Sequence, residues 1–155
     1  MNVRGSVYHN PNFIFHDGAI GNKLLILLNT PTGSEDYLFV KTTSKQKERT
    51  KKPGCRKHYA QGHYFIPKET EYFHEDTWVL LYELYPISPE DIDNLDDWRI
   101  LKDIALSVET IEQIIDCLFK HHGEDLPEIY ESWLKPPMET ALAKLAERFS
   151  PIREK

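Results

Sequence analysis

The run Leu24-Leu-Ile-Leu-Leu28 restricts the fold more than any other feature of the chain. Five aliphatic residues are too few for an independent helix, and turn-forming residues bound them on both sides, Gly21-Asn22 before and Asn29-Thr30-Pro31 after. The run therefore reads as a strand. Successive side chains on a strand point to opposite faces, so an unbroken apolar run requires cover on both. This predicts a central strand, with a neighbour on each side and a packed layer over each face.

The flanking sequence is likewise written in strands and turns. Gly5-Ser-Val-Tyr-His9 is β-prone and is expected to stop at Asn10-Pro11, because proline cannot donate to a ladder. Phe13-Ile-Phe15 follows, then a turn through His16-Asp-Gly-Ala-Ile-Gly21. On the other side, Thr30-Pro-Thr-Gly-Ser34 turns the central strand back into Tyr37-Leu-Phe-Val40, which predicts a hairpin. Residues 43–60 show no apolar periodicity and contain Pro53-Gly54, so they read as a long exposed loop. Strand character resumes at His63-Tyr-Phe-Ile66 and is strongest over residues 77–85, which are rich in aromatic and aliphatic side chains. The first 90 residues thus hold about five strands, enough to close a small barrel.

After Tyr85 the pattern becomes helical. Ser88-Pro-Glu-Asp91 combines an N-cap, a proline at the first helical position and acids in the first turn, and predicts a helical stretch to about residue 106. Ser107-Val-Glu-Thr110 repeats the start signal, and Ile111, Ile114, Ile115 and Leu118 fall on one face before Gly123 ends the element. A short segment with Ile129, Tyr130, Trp133 and Leu134 precedes Pro136-Pro137, and a last helix over 137–149 is expected to bury Leu142, Leu145 and Phe149. The expectation is an α+β protein, a small β-barrel over 1–90 followed by an acidic helical extension over 91–155 packed on it.

A chain of 155 residues buries roughly two thirds of its unfolded surface, so no disulfide framework is required, and Cys55 and Cys117 are too few for one. The longest apolar run is far short of the roughly 18 residues that span a bilayer, and Met1-Asn-Val-Arg-Gly lacks a signal-type apolar region. These features predict a cytoplasmic protein with no membrane association, in a reducing compartment. Charge is split along the chain. Residues 1–68 carry 11 basic and 4 acidic side chains, whereas residues 69–155 carry 8 basic and 21 acidic ones. Most of the positive excess lies in Lys41, Lys45, Lys47, Arg49, Lys51, Lys52, Arg56 and Lys57, opposed only by Glu48. Such a cluster attracts nucleic-acid phosphate, and also the protein's own acidic half.

Cys55, His58 and His63 have the spacing C-x2-H-x4-H, with His74 the only nearby fourth ligand, and read as a loop that happens to hold these residues, with no metal bound. His121-His122 falls at a helix C-terminus, where the dipole favours imidazolium. The chain has no P-loop, GxGxxG, HExxH or GxSxG, and no cofactor is expected. What remains is the neighbourhood of Asp17 and Lys23 with Lys41-Thr-Thr-Ser-Lys-Gln-Lys47. Hydroxyls of Thr42, Thr43 and Ser44 beside Lys41, Lys45, Gln46 and Lys47 suit a phosphodiester, and catalysis there also needs an acid or base near a ribose 2'-hydroxyl.

The order of these motifs resembles the opening of the MazF/PemK toxins. Gly5-Ser-Val-Tyr8, Phe13-Ile-Phe-His-Asp-Gly18, Gly21-Asn-Lys-Leu-Leu-Ile-Leu-Leu28 and Val40-Lys-Thr-Thr-Ser44 carry the likeness, and residues 76–88 resemble the family's final strand. The resemblance covers roughly residues 4 to 90 in short motifs. It implies an SH3-like barrel, often dimeric, that cleaves single-stranded RNA without metal through the substrate's own 2'-hydroxyl and is neutralised by an acidic antitoxin. It assigns catalysis to Lys23, where the family usually has arginine, and to Thr43 (or Thr42) at the scissile phosphate. Lysine lacks arginine's bidentate fork, and Leu80 and Tyr82 stand where some members have arginine and aspartate. Two functions therefore remain open: an endoribonuclease, or a non-catalytic module for nucleic acid or protein built on the same scaffold.

Overall fold

A computed structural model describes residues 3–14, 17–45, 48–71, 73–95 and 98–135, with the backbone alone for 99–104. The expected helix over 137–149 lies outside the described residues. The elements are β1 (Ser6–Ile14), β2 (Ile20–Leu27), β3 (Tyr37–Thr43), β4 (Gly54–His58), β5 (Gln61–Ile66), β6 (Thr77–Ile87), α1 (Pro89–Ile92), β7 (Arg99–Ala105), α2 (Val108–His122) and α3 (Glu128–Leu134). The strands form one antiparallel sheet in the order β4-β5-β6-β3-β2-β1-β7.

The central-strand expectation holds. β2 lies between β1 and β3, and Leu25, Ile26, Leu27 and Leu28 are fully buried. Alternation then sorts the sheet into two faces. Val7, Ile26, Val40, Val79 and Leu81 meet Ile111, Ile114, Ile115 and Leu118 of α2. Tyr8, Leu25, Leu27 and Phe39 form the opposite layer with Trp98, whose ring meets Phe39 edge-on at 5.1 Å. Both predicted caps form: Ser88 Oγ accepts from the Asp91 amide, and Ser107 Oγ from that of Thr110.

The expected closed barrel is not what forms, since β4 and β7 end the sheet without pairing to each other. The sheet instead bends within itself. Against β3, the register of β6 jumps from Val40↔Leu84 to Lys41↔Leu80, so residues 81–83 form a bulge. Extra residues on one strand bend it and increase its local twist.

Three further expectations are corrected. Pro11 does not end β1; the strand runs on to Ile14 with a register shift between Asn10 and Phe13, where proline's missing amide costs no ladder bond. The long loop over 43–60 contains β4, a strongly basic edge strand with no apolar alternation, paired along its length with β5. Nor is 88–106 one helical stretch. It holds the single turn α1 and then β7, which returns to pair with β1.

The two cysteines are also joined. Cys55 on β4 and Cys117 on α2 form a disulfide across a sequence separation of 62 residues, with Cα atoms 5.5 Å apart. Disulfides persist in oxidising surroundings, so a reducing compartment no longer follows from the cysteine count. Among the described residues, no helix is long and apolar enough to cross a membrane.

Candidate functional site: a cleft between β2, β3 and the β5–β6 loop

The end of β3 and the middle of β2 form one wall of a cleft of about 540 Å³, and the loop from β5 to β6 forms the other. Asn22, Lys23, Thr42, Thr43, Ser44 and Lys45 line the first wall, and Phe73, His74, Glu75 and Thr77 the second. Two hydrogen bonds shape the first wall. Thr42 Oγ1 donates to the Leu24 carbonyl at 2.8 Å, and the Lys45 amide donates to Thr43 Oγ1 at 3.2 Å. Thr42 is thus buried and tied to β2, whereas Thr43 is only half-buried. The second wall stands on Phe73, whose buried ring anchors the loop, while His74 and Glu75 beside it are exposed.

The first wall is electropositive. Burial, with the charges of Lys41 and Lys45 close by, pushes the Lys23 ammonium below the usual lysine range. Like charges this close disfavour one another's protonated form, and a negative charge placed beside them would offset that repulsion.

The residues singled out in the sequence divide into three groups. Lys23, Thr42, Thr43, Ser44 and Lys45 converge on the cleft. Asp17 and Lys41 do not line it. Asp17 Oδ1 accepts from the Ala19 amide at 2.9 Å, which closes the β1–β2 turn around Gly18 at φ +86°. Lys41 is buried with its ammonium 5.9 Å from the Tyr82 ring and 6.0 Å from that of Tyr85, distances suited to cation–π attraction. Gln46 and Lys47 lie outside the described residues.

The basic segment is likewise not one solvated patch. Arg49 turns inward and is buried, its guanidinium 5.8 Å from Tyr82 and hydrogen-bonded to Gln61 Oε1. It also lies 3.2 Å from His63 Nδ1. A guanidinium only donates, so Nδ1 accepts and the ring proton sits on Nε2. Burial above all, and then Arg49, His58, Arg56 and His121, pushes His63 down to about 4. Lys51 pairs with Asp76 at 3.2 Å, an ion pair between the basic segment and the acidic half. The C-x2-H-x4-H set does not assemble, because Cys55 is bonded to Cys117 and His63 is committed to Arg49.

Nothing in the sequence marks His74 and Glu75 as lining the same cleft as Lys23 and Thr43. The loop that carries them has no motif, and it reaches the cleft only because β5 and β6 pair beside β3. No protein-family model matches the chain, and neither a curated protein nor a solved structure shows significant similarity to it.

Proposed function

We propose that this chain is a PemK/MazF-like protein that binds single-stranded RNA in the β2–β3 cleft and cleaves it there. The observation that carries this reading is the meeting of two chemistries at one cleft, amines and hydroxyls from β2 and β3 together with the imidazole and carboxylate of His74 and Glu75. The first wall suits a phosphodiester. The second supplies the acid–base function that the last strand lacks. The bent, open sheet is taken as the counterpart of the family's small SH3-like barrel.

In this reading the Thr43 hydroxyl and Lys23 hold the scissile phosphate, and Lys45 draws in the strand. His74 or Glu75 removes the proton from the neighbouring ribose 2'-hydroxyl, and the 2'-oxygen forms its bond to phosphorus. The bond from phosphorus to the 5'-oxygen breaks, and that oxygen takes a proton from water, while the protonated His74 or Glu75 returns its proton to solvent. Lys23 offsets the negative charge that grows on the phosphate oxygens. The products are a 2',3'-cyclic phosphate and a 5'-hydroxyl. An acidic antitoxin-like protein and a second copy of the chain are the partners the resemblance implies.

A second reading, a non-catalytic binding module, is favoured by Leu80 and Tyr82 at the positions where the resemblance expects arginine and aspartate. Incubation with a long single-stranded RNA, with and without EDTA, separates the two. The enzyme reading expects EDTA-resistant cleavage in the wild type that is lost in Lys23→Ala, Thr43→Ala and His74→Ala. A folded wild type that binds RNA without cutting it establishes the binding module instead.

A further inference from the structure

We propose that Cys55, Cys117 and His121 form a binding site for a thiophilic divalent cation of the zinc class once the disulfide is reduced. Cys117 and His121 stand four residues apart on α2, so their side chains share one face of the helix. That face meets β4 through Cys117, which is bonded to Cys55. The two sulfurs and an imidazole nitrogen all lie within 4.8 Å of one another. Zinc–sulfur and zinc–nitrogen bonds of about 2.3 and 2.0 Å place tetrahedral ligands roughly 3.5 to 3.8 Å apart, so side-chain rotation without backbone movement brings the set to bonding distance.

The surroundings hold the third ligand in place. A Cβ on Gly62 would stand 2.9 Å from the Cβ of His121, so the helix reaches this close to β5 only over glycine. The Gly62 amide also donates to His122 Nε2 at 2.9 Å, which fixes the end of α2 and leaves His121 as the imidazole beside the sulfurs. Cys117 is buried, whereas Cys55 and His121 are half-buried, so a cation can enter from one side and a water can take the fourth position. Two thiolates and an imidazole select zinc-class ions over magnesium or calcium.

The disulfide and the metal use the same sulfurs and exclude each other. A trialkylphosphine and one water convert the disulfide into two thiols and the phosphine oxide, with the phosphine losing the two electrons that the sulfurs gain. The cation then displaces two thiol protons to form two metal–sulfur bonds. This site does not depend on the RNA reading.

The test uses the full chain, reduced with the phosphine, desalted and titrated anaerobically with Co²⁺ as the probe. Expected are a thiolate-to-cobalt charge-transfer band, the visible d–d bands of four-coordination, saturation at one equivalent, and bleaching by one equivalent of Zn²⁺. The untreated, disulfide-bonded chain shows none of these. Cys117→Ser, which keeps one thiolate, shows a weaker charge-transfer band, and both it and His121→Ala, at a half-exposed position, bind at least tenfold more weakly. No cobalt spectrum from reduced wild type that retains its circular dichroism overturns the site. An unchanged affinity in His121→Ala overturns it as well.

Discussion

Reducing the Cys55–Cys117 bond removes a constraint whose size follows from the loop it closes. The bond spans 62 residues, and a closed loop of that length loses about 14 cal/mol/K of chain entropy in the unfolded state, or about 4 kcal/mol at 25 °C. The native state gives little of this back, because Cys117 remains packed in the α2 core and Cys55 remains on a strand paired along its length with β5. With a urea dependence of about 2 kcal/mol/M, the unfolding midpoint should fall by about 2 M. In a thermal melt the same loss corresponds to roughly 8–16 °C for a chain of this size. The assay is urea unfolding followed by tryptophan fluorescence, to which the buried Trp78 contributes, with and without phosphine, in EDTA so that no metal replaces the bond. A midpoint shift below about 0.5 M would refute the entropy argument, because it would mean that the unfolded chain already holds residues 55 and 117 together.

Four smaller perturbations test other parts of the structure. His63 titrates at about 4 in the fold against about 6.5 when unfolded, so between those values the unfolded chain binds the extra proton. Stability should therefore be intact above about pH 6.5 and fall by about 3 kcal/mol as the pH drops to about 4, with an NMR titration showing a ring neutral to about that pH. Gly62→Ala drives a Cβ into His121 and should cost about 1–3 kcal/mol in urea unfolding. Ser107→Ala removes the cap of α2, and also a hydroxyl that donates to Glu71, and should cost about 1 kcal/mol in the same measurement. Lys45→Ala should weaken RNA binding at low salt and flatten its dependence on salt concentration, whereas Asp17→Ala, outside the cleft, should leave both unchanged in a filter-binding assay.

Local signals in the chain were legible where one element carries its own explanation. The aliphatic run at 24–28 specified a doubly covered strand, the serines at 88 and 107 specified helix starts, and the spacing of Ile111, Ile114, Ile115 and Leu118 specified the face of α2 that packs. Strand β4 was not legible, because a basic strand without alternation carries no pattern of its own and is held by the ladder with β5 and by the bond from Cys55 to Cys117. Strand β7 was hidden by the helix-start signal just before it, and it forms only because β1 offers a free edge.

The candidate site divides in the same way. Lys23, Thr43 and Lys45 could be chosen from the sequence because amines and hydroxyls cluster at the ends of two predicted strands. Whether a given cation faces the cleft or the interior depended on the bulge at residues 81–83 and on Tyr82, which draws Lys41 and Arg49 inward. The opposite wall, with His74 and Glu75, and the meeting of Cys55 with Cys117 and His121 required the sheet order itself. Periodicity along the chain reports which face of an element is buried, and the central strand and the packed helix follow from it. It holds no record of which distant elements become neighbours, so the cleft and the cysteine–histidine cluster were decided by the tertiary structure alone.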